Sequence, residues 1–348
     1  MARVTLQSIA DEVGVSRMTV SNAFSKPDQL SDALRERIMA VADRLGYLGP
    51  DPSARSLATG TTGTIGVLWA GRLRDSLSDE VSARFLGAIA DELAPDGLAL
   101  TLLPSQAEGP VVPARDVAMD GAIAFSCRRD LPALVWLQRR GLPLVYVDLP
   151  GEPSVTIDDR GGARLAAQHL IDLGHHRIAI VMSGIGAVPG VVTSVETIDD
   201  NLVVRERLAG WLEALGAAGI VPVMVCQPSA YDDARPAARD LLARAPEVTG
   251  VLCLTDVLAH DVIAVAHELG RAVPGDLSVV GFDDHPLAAR AGLTTVRQDV
   301  DAKGRAAAQA LRREVTRRDD PDSPRGRSRR LEVELVVRQS TGPVRQRG

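Results

Sequence analysis

Arg17, Met18, Ser21 and Asn22, all within one short stretch, carry side chains suited to the edges of DNA bases. An arginine fork donates to guanine O6 and N7, an asparagine amide pairs with adenine N6 and N7, and a thioether packs on a thymine methyl. At helical spacing these four share one side of a helix, a mixture that a packed core would not tolerate. Hydroxyls stand nearby at Thr5, Ser16, Thr19 and Ser31. Such groups, and the helix ends they mark, bond phosphate oxygens. The pattern therefore reads as a base-reading face, the plain alternative being a three-helix mini-domain with a polar surface.

The elements needed to present that face are legible around it. Thr5 caps a first helix with an inward stripe of Leu6, Ile9, Ala10 and Val13, and Gly14 supplies a turn without a Cβ penalty. Ser16 caps a second helix from Arg17 to about Phe24, with Val20 and Ala23 or Phe24 inward. A third helix follows Ser31, with Leu34, Ile38, Val41 and Leu45 on one side, and stops at Gly46. Two helices separated by a glycine-containing turn form a helix-turn-helix, whose second helix reads the groove. Residues 1–65 hold seven basic and seven acidic side chains, so DNA binding rests on placement of charge and not on bulk basicity. Residues 51–60, between Pro50 and a glycine-rich stretch, fit either a linker or a helix too short to be stable alone.

From Thr64 onward, short aliphatic strands alternate with amphipathic helices. Strands are expected at 65–69, 98–103, 122–126 and 144–148, then at 177–182, 223–226, 251–255 and 277–283. Helices are expected at 83–93, weakly at 114–119, and at 131–140, 161–173, 204–217, 234–243, 258–269 and 301–313. A polar loop at 317–329 and an alternating strand Leu331, Val333, Leu335, Val337 complete the pattern. Apolar residues make up 45% of the chain but aromatics only 3%, which favours aliphatic parallel sheets. The expected fold is an all-α helix-turn-helix headpiece plus an α/β two-lobed, periplasmic-binding-protein-like domain. The boundaries are 1–50 for the headpiece, 51–63 for the hinge and linker, 64–341 for the two lobes and 342–348 for a flexible tail. Lobe 1 takes about 64–149 plus part of 299–328, and lobe 2 about 157–285.

Open parallel sheets place their functional loops at the carboxyl ends of strands. Ser126, Asp159 and Asp256 fall at such ends or crossovers, although Asp256 also fits a helix N-cap. Trp69, closing the first strand, is the best candidate platform for stacking a ligand ring, whereas Trp211 fits plain packing equally well.

Catalysis and metal binding find no support. The string SGIGAVPG lacks the spacing of a dinucleotide fingerprint, and no GxSxG elbow occurs. His175 and His176 are adjacent, cannot share a helix face, and are expected to cap the helix ending at Gly174. No cofactor or metal is expected. Cys127, Cys226 and Cys253 are far apart in apolar stretches and read as buried thiols of a reducing compartment. With no apolar run of about 18 residues and no signal sequence, a cytoplasmic protein without membrane contact is expected.

The strings TLQSIADEVGVSRMTVSNAF, LSDALRERIMAVADRLGY and DPSARSLATGTTGTIGV resemble the opening of the LacI/GalR family of bacterial transcription regulators. VTIDDRGGARLAAQHLIDLGHHRIAIV, RERLAGW, LTDVLAHDVIAVAHELG, VVGFDD and LTTVRQ resemble later elements, so the likeness spans residues 4–341 and is weakest at 71–82 and 184–202. It implies that 51–60 is a hinge helix folding on DNA, with Leu57 as a minor-groove wedge and Ala54 as the small residue beside it. It also implies effector contact by Arg207 and the acidic Asp283, while Thr255 replaces the family's usual asparagine. An arginine with carboxylates suits vicinal hydroxyls. The expectation is a homodimer on palindromic double-stranded operator DNA, probed by a sugar-like effector that releases repression. Corepression, activation, or a purine or other metabolite as effector remain open alternatives. No terminal leucine heptad argues for a tetramer.

Overall fold

The computed structural model describes residues 4–49, 51–69, 73–105, 110–183, 190–191, 201–227, 233–320 and 322–345. The chain divides into two compact units, Met1–Gly63 and Thr64–Gly348.

In the first unit, α1 (Leu6–Val13) begins with a reciprocal cap. The Ser8 amide donates to Thr5 Oγ1 at 3.3 Å, and the Thr5 amide donates to Ser8 Oγ at 3.4 Å. Gly14, at φ 76°, ends the helix in the left-handed conformation and donates its N–H to the Ala10 carbonyl. Next come α2 (Arg17–Ser25), α3 (Asp32–Leu45) and α4 (Pro52–Thr59). Ile9, Ala10, Val13, Val20, Ala23, Ile38 and Ala42 make the core, and Phe24 meets Tyr47 edge-on at 5.6 Å. Arg37 on the Val13 carbonyl and Arg44 on Glu12 fasten α3 to α1.

The second unit contains two sheets. The chain runs β1 (Thr64–Trp69), α5 (Leu73–Ser78), α6 (Glu80–Leu93), β2 (Ala99–Pro104), α7 (Pro113–Asp116), β3 (Gly121–Phe125), α8 (Pro132–Arg139), β4 (Leu144–Val147) and β5 (Ser154–Ile157). It continues through α9 (Asp159–Asp172), β6 (Ile178–Ser183), β7 (Gly190–Val191), α10 (Leu202–Ala217), β8 (Val223–Gln227), α11 (Arg235–Arg244) and β9 (Gly250–Cys253). Then follow α12 (Asp256–Glu268), β10 (Ser278–Asp283), α13 (Pro286–Ala291), β11 (Thr294–Gln298), α14 (Val300–Asp319), β12 (Arg329–Leu331) and β13 (Val333–Val336). Lobe 1 is the sheet β12-β5-β4-β3-β1-β2, and lobe 2 is the sheet β13-β11-β10-β9-β6-β8-β7. All pairings are parallel except β11 with β13 and β7 with β8.

Each face of the first sheet is covered. Ile65, Val67 and Trp69 pack with Phe85, Ile89 and Leu311 on one side, while Leu68, Ala122 and Ala124 pack with Leu134 and Leu137 on the other. Burial on both faces explains why its strands are nearly continuous aliphatic runs. The lobe 2 core is a larger aliphatic cluster around Phe282 and Trp211.

Four expectations are corrected. The single alternating strand from Leu331 to Val337 is two strands: Leu331 pairs with Ile157 in lobe 1, and Val333 pairs with Gln298 in lobe 2. Alternation records one buried face but not which sheet owns it, so the passage between lobes at Glu332 left no mark. Helix α14 extends to Asp319, inside the expected loop. The tail is tied down at 342–345: the Val344 amide donates to the Leu173 carbonyl at 3.1 Å, and the Gly342 carbonyl lies 3.0 Å from His175 Nε2. His175 is therefore no helix cap by its side chain, since Nδ1 also meets Thr249 Oγ1 at 3.0 Å and the ring is buried. The string at 184–189 lies outside the described residues.

The chain crosses between lobes three times, at Asp158, Asp299 and Glu332. Asp158 and Asp299 each cap the helix that follows, accepting the amides of Gly161 at 3.0 Å and Ala302 at 2.8 Å.

Candidate DNA-reading face and effector cleft

On α2, Arg17 is exposed and Met18 is 70% exposed, while Ser21 and Asn22 are half-buried on the same side. Asn22 Nδ2 donates to Gln29 Oε1 at 3.3 Å, which steadies the amide. Ser16 Oγ accepts the Thr19 amide at 3.0 Å and lies 2.8 Å from Thr19 Oγ1, so these two hydroxyls build the helix start. The exposed Ser31 precedes α3 without a side-chain cap bond. Ala54 and Leu57 lie in α4, and Leu57 is 88% exposed, an apolar side chain without cover in this unit. The structure thus sets the four candidate reading residues on one helix and the Leu57 wedge candidate on another.

In the second unit, polar residues gather at the carboxyl ends of strands. Ser126, Asp148, Asp283 and Asp284 have φ of 45°, 55°, 103° and 53°, left-handed values that branched side chains avoid. Backbone strain of this kind concentrates where side chains must be aimed.

Arg207, on α10, organises the centre. Its Nε donates to Asp159 Oδ1 at 2.8 Å, Nη1 to the Leu254 carbonyl at 2.5 Å and Nη2 to Asp283 Oδ1 at 2.9 Å. The guanidinium lies 3.5 Å from the centre of the Phe282 ring. Burial opposes its charge, yet Asp283 and Asp159 outweigh that effect and raise its pKa. Burial dominates at Asp159 and lifts its carboxyl to about 6, against the pull of Arg207. Asp283 Oδ1 also accepts from Gln298 Nε2 at 2.7 Å.

Asp256 starts α12, but the cap is Thr255, whose hydroxyl accepts the Leu258 amide. Asp256 Oδ2 instead accepts the His285 amide at 2.7 Å, bracing the loop after β10. Burial and the neighbouring Asp283 carboxylate push its pKa well above the usual range. Trp69 is the other departure from expectation. It is 3% exposed and stacked on Phe125 at 4.2 Å, with Phe85 at its edge, so no ring face is open to a sugar here.

Two contacts join the lobes beside these groups. Asn201 Nδ2 donates to the Ser126 hydroxyl at 3.1 Å, and His285 Nε2 lies 3.9 Å from Asp79 Oδ1. Behind Ser126, Lys303 Nζ donates to Asp148 Oδ2 at 2.7 Å in a buried pair. Sequence reasoning missed Asn201, Asp148, Lys303 and Gln298. Lys303 left a signal, since it interrupts the inward stripe Val300, Ala307, Leu311 of α14. No group of three metal-ligating side chains occurs among the described residues. No helix among them is long and apolar enough to cross a membrane.

A helix-turn-helix unit followed by a two-lobed periplasmic-binding fold defines a DNA-binding regulator with its own ligand domain. Residues 5–49 match the bacterial regulatory proteins of the lacI family, and 167–341 match a periplasmic binding protein-like domain. An HTH-type transcriptional regulator of Mycolicibacterium smegmatis is 35% identical, over 98% of this chain and 97% of its own. The regulator IpsA of Corynebacterium glutamicum is 38% identical over 88% of this chain and 90% of its own. Among solved structures, the regulator CelR in complex with cellobiose is 29% identical with a TM-score of 0.68, covering 97% of this chain and 100% of that one. The lac repressor dimer bound to operator is 25% identical with a TM-score of 0.76, covering 97% and 99%. The chain belongs to the lacI family of bacterial transcription regulators, which bind DNA and are not enzymes.

Proposed function

We propose that the chain is a cytoplasmic repressor of carbohydrate uptake or catabolism genes. It acts as a homodimer on a palindromic operator and is released by a sugar or sugar derivative. The observation that carries this reading is the Arg207 guanidinium seated on Phe282 between Asp159 and Asp283, at the ends of strands where two lobes meet. Paired carboxylates around a fixed arginine recognise vicinal hydroxyls. The CelR regulator of Thermobifida fusca, 32% identical, supports the carbohydrate assignment through the cellobiose held in the CelR complex.

DNA recognition divides between two elements. Arg17, Met18, Ser21 and Asn22 read base edges in the major groove, while Thr5, Ser16, Thr19 and Ser31 meet phosphates. Leu57, beside Ala54, enters the minor groove next to its symmetry mate, which covers the apolar side chain left exposed in one chain. A ligand that changes the closure of the lobes alters the spacing of the paired hinges and thereby operator affinity. A coupling of about 1–3 kcal/mol suffices, since about 1.4 kcal/mol is a tenfold change.

Operator titrations with and without sugars test the reading. Weakening by a sugar supports induction, whereas tightening makes the ligand a corepressor. Loss of target expression on deleting the gene would make the protein an activator. Binding of a purine in place of every sugar would replace the carbohydrate assignment.

A further inference from the structure

Among the described residues of the cleft, the buried cations Arg207 and Lys303 face more carboxylate than they can neutralise. Arg207 is paired with Asp159 and Asp283, and Lys303 with Asp148. That is three carboxylates against two cations among the described residues. Both cations are buried, with side chains 4% exposed, and each already donates to a carboxylate.

The free hydrogen-bonding capacity has a sign as well. Asp148 Oδ1, Asp256 Oδ1 and Gln298 Oε1 are buried oxygens that find no partner among the described residues. Asp148 and Gln298 stand at the two ends of the polar array. Asp148 accepts from Lys303 through its other oxygen, and Gln298 spends its amide N–H on Asp283. A buried acceptor is matched only by a donor, such as a hydroxyl or an ammonium. Phosphate and carboxylate oxygens offer none, and they would add charge beside an excess of like sign.

We propose that the cleft selects uncharged or cationic polyhydroxyl ligands over phosphorylated and acidic sugars, with Asp148 as the discriminating residue and Lys303 positioning it. This deepens the carbohydrate reading above and rests on it. Lys303 fixes Asp148 Oδ2, and the left-handed backbone at Asp148, φ 55°, fixes the carboxylate at the end of β4. The remaining oxygen accepts a ligand hydroxyl.

The test is calorimetry on the full chain with two matched sets of probes. Glucose, ribose, cellobiose, inositol and glucosamine form one set; glucose 6-phosphate, ribose 5-phosphate, gluconate and glucuronate form the other. The expected result is binding within the first set, with anionic counterparts at least tenfold weaker. Equal or tighter binding of a phosphorylated or acidic sugar overturns the charge rule and leaves the carbohydrate reading standing. Binding of a purine alone overturns the carbohydrate reading instead, and binding of nothing overturns both. In Asp148→Asn the preference should narrow at least tenfold, and an unchanged ratio would reduce Asp148–Lys303 to a pair that only holds lobe 1 together. Should that variant fail to fold, Gln298→Leu should weaken the neutral ligand several-fold while keeping the exclusion of anions. Unchanged affinity in Gln298→Leu counts against the proposal.

Discussion

Asn201 reaches from lobe 2 to Ser126 of lobe 1, its Nδ2 donating to the hydroxyl at 3.1 Å and to the carbonyl at 3.2 Å. The same side chain caps α10, with Oδ1 accepting the Val203 amide at 2.9 Å. One amide thus fixes the start of the helix that carries Arg207 and joins it to the opposite lobe. Asn201→Asp keeps the cap acceptor and removes the donor. It should weaken effector binding by about 1 kcal/mol, roughly fivefold, if the contact favours closure. Equal affinity in calorimetry would show that the lobes close without this link.

Asp159 gives the cleft a pH signature. Burial raises its carboxyl from 3.8 to about 6, so between those values the folded chain holds a proton that the unfolded chain has released. Its stabilising contribution is full below about pH 4 and is lost as pH rises toward 6. The Asp159–Arg207 ion pair follows the opposite course, forming fully only above that window. Denaturation across pH 4–7 should show a wild-type slope that Asp159→Asn lacks. Parallel curves for the two proteins would reject the assignment.

Base reading is testable by contrast between sequences. Arg17→Ala and Asn22→Ala should each cost about 1–3 kcal/mol on the operator and little on random DNA. Equal losses on both would make these residues phosphate contacts. Leu57→Ala should weaken operator binding without moving the melting temperature, because the side chain is 88% exposed. An operator affinity matching wild type would leave α4 as a linker.

Close packing of α9 on α10 depends on Gly210, where an added Cβ would stand 2.2 Å from the Arg160 carbonyl oxygen and 2.9 Å from Ala163 Cβ. Gly210→Ala should therefore destabilise the ligand domain by about 1–3 kcal/mol. Scanning calorimetry reads this as a lowered transition for that unit, and an unshifted transition would mean that the two helices separate cheaply.

The sequence carried the headpiece almost whole, because helix caps, a turn glycine and apolar stripes are local signals. Thr5, Gly14, Ser16 and Gly46 end or begin helices as their chemistry requires. Most strands of the ligand domain were equally legible from apolar runs. The split at Glu332 was not, because two sheets can claim one alternating pattern. At the cleft, Arg207, Asp159 and Asp283 come together across 48 and 76 residues of sequence. That distance hides the network from any local reading, and resemblance alone pointed to two of the three. Trp69 misled because a terminal aromatic gives no sign of the Phe125 ring that covers it.

The three passages between lobes also set the order in which the protein can be made. Ser154 of β5 bonds to Ser328, 174 residues later, so the outer edge of lobe 1 waits for nearly the whole chain to leave the ribosome. Lobe 2 waits slightly longer for β13. Each lobe therefore needs a strand from beyond residue 328, whereas the headpiece, built from contacts within its first 63 residues, can fold on the nascent chain. A partly synthesised regulator would thus carry a folded DNA-reading unit while its ligand sensor is still incomplete.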